Sequence, residues 1–501
     1  MASNNNDDHP MDPVEEDSMF NPEDAEEEID ESEDVHMDSD EDEGDGAQPG
    51  ETLEEIQLEN DSVAHFDGHK DSIFCIAQHP TDLSIILTGG GDDTAYIWSA
   101  AVPDAPVLPR SYEADPQPVE RKSLDIWAKL DGHTDSVNAV TFTLPKGEFA
   151  ITAGLDGKLN VFATPTGPGQ ARLIGSAQEV EEINWLQACP HPGHENTFAL
   201  GASDGSVWVY TINSQDKTTP LNIVQAFYLH TGACTAGAWT PDGKLLATVS
   251  EDATFYVWDV FGDAAAAGLS DLSATGGSQT VVALTAADER FAVDGGLYSV
   301  AISPGGAIAA VGGAEGQVRV VGLPRLSVPA SATSGAKGAG ARNKAGGGKQ
   351  AGGPKGSPQA SSGQAGVILA SLKAQSDGVE TLAFSQPPLT LLAAGSVDGT
   401  IALFDIAHNF ALRRHIKDAH EEEAVIKVEF LRSPNQDRNW LLTSCGNDGV
   451  VRRWDVRGGT AAAAQGAAGE WRGHRGGGEG GGILGFVQGG DGKNIVTAGD
   501  E

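Results

Sequence analysis

His69, Thr88 and Asp92 place an imidazole, a hydroxyl and a carboxylate in one short stretch, "GHKDSIFCIAQHP" followed by "TGGGDDTAYIW", which Trp98 closes. Together these groups can activate a nucleophile: the carboxylate orients the imidazole, and the imidazole takes the hydroxyl proton. A catalytic set has to be singular, so the rest of the chain decides whether this one is chemistry or scaffold.

It is not singular. An acid followed by five residues and an aromatic recurs at Asp92–Trp98, Asp156–Phe162, Asp204–Tyr210, Asp252–Trp258, Asp398–Phe404 and Asp448–Trp454, with Glu315–Val321 as a degenerate copy. Thr152, Thr248 and Ser444 precede Asp156, Asp252 and Asp448 as Thr88 precedes Asp92. Histidines stand upstream at His133, His230, His420 and His474. Each copy follows an apolar run such as "FAITAG", "LLATVS" or "LLAAGS", and apolar run, Asp-Gly turn and alternating residues describe a β-hairpin. A device present in repeat after repeat belongs to the fold, and repetition argues against a hydrolase.

A Gly-His, then D-x5-W, resembles the WD40 repeat, in which each unit is a four-stranded blade of a β-propeller. Units are readable at about 68–98, 132–162, 175–210, 229–258, 293–321, 375–404 and 419–454, and an eighth opens at Gly473-His474. The expected fold is therefore an all-β, eight-bladed propeller whose last blade is incomplete, with Asp500 aligned to the turn aspartate. Residues 53–66, "LEEIQLENDSVAHF", are expected to supply that blade's outer strand. The resemblance implies that the turn aspartate holds the histidine, whose other nitrogen reaches the hydroxyl and the tryptophan. The structural tetrads are then His69, Thr88, Asp92 and Trp98; His133, Thr152 and Asp156; His230, Thr248, Asp252 and Trp258; and Ser444, Asp448 and Trp454.

Composition fits one large β unit: 501 residues with 64 Gly and 25 Pro favour turns over long helices. Of the 73 acids, 25 fall in the first 60 residues, which hold no Lys or Arg, leaving 48 acids against 31 bases. Residues 1–52 are expected to be a disordered acidic tail and 53–501 the propeller. So acidic a chain repels DNA and RNA. The opening "MASNNNDDHP" lacks a basic start and an apolar run, and no 18-residue apolar run exists. Neither a signal peptide nor a membrane span is expected, which points to a monomeric cytoplasmic protein with the nucleus as a second compartment. Cys75, Cys189, Cys234 and Cys445 are scattered, as reduced thiols are.

Two insertions stand out. Residues 324–366 carry six Lys/Arg and no acid in a Gly/Ser/Ala/Pro background, a flexible basic linker between the third and fourth strands of blade 5. Residues 99–123 form a Pro-rich insertion in blade 1. "CPHPGHE" offers Cys189, His191 and His194, but no fourth metal ligand lies nearby, and no phosphate loop exists. No metal or cofactor is expected.

Propellers of this kind bind partners through the loops around the channel mouth. The resemblance puts there the positions three and five after the histidine and the residue before the turn aspartate: Phe74, Glu179, Glu181, Glu251, Tyr298 and Glu380, with Glu421, Glu422 and Glu423 in blade 7. Carboxylates beside aromatics suit an Arg/Lys-rich peptide. "FDGHKDSIFCIAQHP", "DGHTDSVNAVTF", "GASDGSVWVY", "AAGSVDGTIALFDI" and "CGNDGVVRRWDVRGG" resemble the angio-associated migratory cell protein family and its fungal-type, ribosome-assembly counterpart. That resemblance implies a non-enzymatic chaperone. It would capture the basic N-terminal segment of a large-subunit ribosomal protein on an acidic propeller face and deliver it to the pre-ribosome. The other reading is a cullin-type ubiquitin-ligase adaptor, from the WDxR pattern at Trp454-Asp455-Val456-Arg457.

Overall fold

The computed structural model describes residues 60–102, 123–269, 279–326, 364–433, 438–458, 466–474, 481–490 and 492–500. The expected acidic tail (1–52), the start of the N-terminal strand and the centres of both insertions lie outside them. Among the described residues are seven four-stranded antiparallel sheets and one two-stranded hairpin. Blade 1 shows the plan: Ile73–Gln78, Ile85–Gly90, Ala95–Ser99 and Ile126–Leu130, each paired with the next. The innermost strands of the other blades are Val137–Phe142, Ile183–Ala188, Cys234–Trp239, Leu297–Ile302, Val379–Phe384 and Val425–Phe430. Each packs beside the next, and Ile483–Gln488 of the hairpin sits between the innermost strands of blades 7 and 1. No described helix is long and apolar enough to cross a membrane.

The second strand of a blade is covered on both faces by its neighbours. That is why "IILTGG", "FAITAG" and "LLATVS" are buried at every position and read as continuous apolar runs rather than as alternation. Small residues mark where the next blade presses closest. A Cβ on Gly89 would lie 2.5 Å from Val137 Cγ1, so the space between blades 1 and 2 exists only for glycine. The cores lie between blades: Ile85, Leu87 and Ile97 meet Val137 and Phe142, and Phe255 and Phe291 meet Leu297 and Val311.

The blade count differs from expectation. Seven blades are complete, and the eighth repeat contributes only Ile483–Gln488 and Ile495–Gly499. An outer strand needs a third strand to bond to, and among the described residues the part of the N-terminal segment from 60 to 66 does not pair with the eighth unit. Asp61 N instead donates to Arg472 O (2.6 Å) and Arg472 N donates to Asp61 Oδ2 (2.9 Å), while His65 bridges to Ser123. The segment thus links the outer strands of blades 7 and 1. Register also moves Asp500: Gly499 pairs with Ile483 as Gly90 pairs with Ile73, which puts Asp500 one residue ahead of the turn-aspartate position. Its carboxylate takes the Ser72 hydroxyl of blade 1. The basic insertion does leave blade 5 between its third strand, Gln317–Gly322, and its fourth, Ile368–Lys373.

Candidate functional site

The His–Asp–hydroxyl sets have the connectivity of a triad, yet they are sealed. In blade 1, Trp98 Nε1 donates to Thr88 Oγ1 (3.2 Å), which lies 3.0 Å from His69 Nε2; His69 Nδ1 is 3.0 Å from Asp92 Oδ1. Trp N–H to hydroxyl, hydroxyl to Nε2 and Nδ1–H to carboxylate is the direction that satisfies every group. Blade 7 repeats it with His420, Ser444, Asp448 and Trp454. In blade 2, His133 meets Asp156 (3.0 Å) and Thr152 (2.8 Å), and Asn160 donates to His133 Nε2 because Phe162 replaces the tryptophan. Blade 4 departs: His230 reaches Thr248 (2.8 Å) and Trp258 joins it, but Nδ1 contacts Thr254 (2.6 Å) while Asp252 stands 3.9 Å away. Thr88, Thr152, Thr248 and Ser444 are at most 1% exposed, so no substrate reaches these hydroxyls.

Burial governs the titration of these groups. It outweighs Asp252 and lowers His230 to about 4. It opposes ionisation of Asp156, but hydrogen bonds from His133, Thr134 N and Lys158 N overcome it and bring that carboxyl to about 2. Such networks persist in a low-dielectric interior because every member is partnered.

The channel mouth is built by a repeated irregularity. Each innermost strand skips one residue in its pairing: between Ile73 and Cys75, Leu297 and Ser299, Val379 and Thr381, and likewise in the other blades. A β-bulge re-aims the skipped side chain. The skipped residues include Phe74, Tyr298 and Glu380, three of the residues expected at the mouth. In blades 2, 3 and 4 the equivalents are Asn138, Asn184 and Thr235, whose side chains bond to carbonyls of the following blade: Ile183 (3.0 Å), Cys234 (3.1 Å) and Leu297 (2.7 Å). Those three staple blades together, whereas Phe74, Tyr298 and Glu380 make no such bond to the following blade among the described residues.

Glu251, Tyr298 and Glu380 come together. The Glu380 carboxylate and the Tyr298 ring both approach the Cα of Gly378, 3.5 and 3.6 Å from where a Cβ would sit. Desolvation first, then Glu380, Glu251 and Asp377, raises the Tyr298 phenol. Desolvation and the Asp377 carboxylate raise Glu380, although its surface is largely exposed. Asp377 belongs to this cluster and was missed; as the residue two before the blade-6 innermost strand, its place was readable from the repeat.

The other expected site residues are dispersed. Phe74, 39% exposed, lies against Gly91 on the blade-1 side. Glu181 is exposed in the loop that covers Gly157 of blade 2. Glu179 stands four residues ahead of Ile183, as His69 stands four ahead of Ile73, so it holds the histidine's place in the repeat, but its side chain is exposed where His69 is buried. Glu421 has a left-handed backbone (φ 55°) and lies 3.8 Å from Arg452; Glu422 is exposed and Glu423 half-buried. The sequence alignment missed an extra residue in that loop, since His420 precedes its innermost strand by five residues rather than four.

Cys189 is buried, with its thiol toward Gly243 O (3.6 Å), and His194 stacks on Phe261 at 3.7 Å. Among the described residues no group of three or more His, Cys, Asp or Glu is placed to hold a metal. Arg457 of the WDxR pattern turns back, donating through Nε to Asp455 (3.0 Å) and lying over the Trp440 ring at 4.3 Å.

Seven such four-stranded blades, four of them pinned by a His–Asp–hydroxyl set, define a WD40-repeat β-propeller. The family model "WD domain, G-beta repeat" matches residues 60–99, 125–162, 221–259 and 366–405. Within that class the chain belongs to the family of the ribosome assembly protein Sqt1. It is 50% identical to the Chaetomium thermophilum Sqt1 crystallised with the N-terminus of the ribosomal protein L10, with a TM-score of 0.72 over 88% of this chain and 98% of that one. The Saccharomyces cerevisiae ribosome assembly protein SQT1 is 35% identical over 212 residues, 41% of this chain and only 43% of the yeast protein. Human angio-associated migratory cell protein is 24% identical over 438 residues, 87% of this chain and 78% of that one.

Proposed function

We propose that this chain is a non-enzymatic escort in ribosome assembly, binding the basic N-terminal segment of a large-subunit ribosomal protein of the L10 type at its acidic channel mouth. The observation that carries the reading is the cluster of Glu251, Tyr298, Asp377 and Glu380, contributed by three successive blades. Three carboxylates around an aromatic ring, with no basic side chain paired to Glu251, Asp377 or Glu380 among the described residues, form a cation-binding surface. The 50% identity to a protein crystallised with such a segment supports it. Electrostatic steering would bring the segment in, and charge-assisted hydrogen bonds would hold it.

Titration calorimetry of the full chain with the N-terminal peptide of L10 tests this. Glu251→Lys with Glu380→Lys should weaken binding by about a hundredfold, because like charges then oppose across the site. Undiminished affinity in a folded double variant would place the peptide elsewhere.

A further inference from the structure

Blade 3 lacks the set that pins its neighbours. Register puts Glu179 where the histidine stands, Leu200 where the hydroxyl stands and Tyr210 where the tryptophan stands. Leu200 and Tyr210, each 3% exposed, fill the place of the imidazole, and what remains between blades 2 and 3 is a crevice of about 10 Å³ bordered by Glu179 and Trp208. Tyr228 rises beside it, 64% exposed, its ring nearly perpendicular to that of Trp208 (84°) with the centroids 5.8 Å apart. The turn fixes Trp208: its Nε1 donates to Ser206 Oγ (2.9 Å), and Ser206 donates to Asp204 Oδ1 (2.6 Å). Both carboxylates act on these rings. Desolvation first, then Glu179, raises Tyr210; desolvation first, then Asp204 and Glu179, raises Tyr228.

We propose that the rim of blade 3 is a second cation site, in which a guanidinium stacks on Tyr228, turns its N–H edge toward Trp208 and pairs with Glu179 and Asp204. Two perpendicular aromatic walls and a pair of carboxylates match a planar, weakly hydrated cation better than a compact ammonium. A 64% exposed tyrosine gains nothing from burial where it stands, and neither Glu179 nor Asp204 has a basic partner among the described residues. The site is built on blade 3 and the residue that follows its outer strand, and it shares no residue with the Glu251–Tyr298–Glu380 cluster. It rests on the channel-mouth reading only for what supplies the arginine: a basic segment reaching across the same face from blade 5 to blade 3.

Fluorescence anisotropy with labelled hexa-arginine and hexa-lysine on the full chain tests it. Tyr228→Ala should weaken hexa-arginine binding by about threefold to thirtyfold, the range of a cation–π contact from exposed to desolvated. Hexa-lysine should lose less, and Tyr228→Phe, which keeps the ring, should stay within about twofold of the parent. Unchanged hexa-arginine binding in Tyr228→Ala, equal losses for both peptides, or a Tyr228→Phe as weak as Tyr228→Ala would overturn the site. Repeating the series in Glu251→Lys/Glu380→Lys separates the two proposals. Tyr228 dependence that persists there supports the rim site whether or not the L10 peptide needs the channel mouth, and dependence that vanishes overturns it.

Discussion

His230 Nδ1 meets Thr254 Oγ1 at 2.6 Å while Asp252 Oδ1 stands 3.9 Å away, so in blade 4 the turn aspartate holds its histidine through a threonine. Asp252 in turn accepts from the Thr254 hydroxyl and amide and from Thr231 N. The relay makes Thr254 as necessary as the aspartate. Thr254→Val should therefore lower stability by about 1–3 kcal/mol, comparable with Asp156→Ala in blade 2, where the contact is direct, because each leaves a buried imidazole N–H unpaired. Chemical denaturation of the two variants compares them. A Thr254→Val midpoint equal to the parent's would mean that Asp252 closes the gap itself.

The same burial makes the propeller acid-sensitive earlier than its carboxylates alone would. His230 is lowered from 6.5 to about 4, so the unfolded chain takes up a proton there before the folded one does. Its contribution is complete above pH 6.5 and is lost as the pH falls toward 4. Asp156, lowered from 3.8 to about 2, adds a loss only below that. The melting temperature should decline across the upper window first, and His230→Gln should flatten that decline while leaving the lower one in place. A profile flat from pH 6.5 to 4 in the parent would contradict the lowered histidine.

Among the described residues, the hairpin Ile483–Gln488/Ile495–Gly499 is hydrogen-bonded as a ladder along one edge of its second strand only, whereas Ile85–Gly90 pairs on both. Amides on the open edge of 495–499 should exchange with solvent orders of magnitude faster than those of 85–90. Hydrogen-exchange mass spectrometry reads this directly. Protection at 495–499 equal to that at 85–90 would reveal a strand covering that edge.

The fold was legible because its fixing residues repeat. Hydroxyl, Asp and aromatic recur at constant spacing downstream of a histidine, and a continuous apolar run announces each strand that is covered on both faces. What escaped was set by pairing rather than by spacing. Whether a two-strand unit counts as a blade depends on a third strand to pair with, and no spacing reports that. Asp500 is one residue short of the turn position, as the pairing of Gly499 with Ile483 and the contact of Thr497 with His474 (2.8 Å) reveal. Of the candidate site residues, Phe74, Tyr298 and Glu380 fall at the skipped positions of the innermost strands, whereas Glu179 stands in the place of a missing histidine, which an alignment on acidic residues cannot distinguish.

If the proposed peptide site is right, Glu380 should couple it to pH. Desolvation and Asp377 hold its carboxyl above the usual 4.5 in the free protein. A cationic side chain brought beside it favours the ionised form, so binding a basic peptide lowers that value and releases a proton. Affinity should therefore rise with pH through the range just above 4.5 and level off once Glu380 is ionised in both states. Calorimetry of the L10 N-terminal peptide in two buffers of different ionisation enthalpy counts the proton released. Glu380→Gln removes the titrating group: it should weaken binding at neutral pH by about tenfold, the loss of one charge-assisted contact, and abolish the proton release. Release that survives in Glu380→Gln would assign the linkage to another acid, and Asp377 is the neighbour to test next.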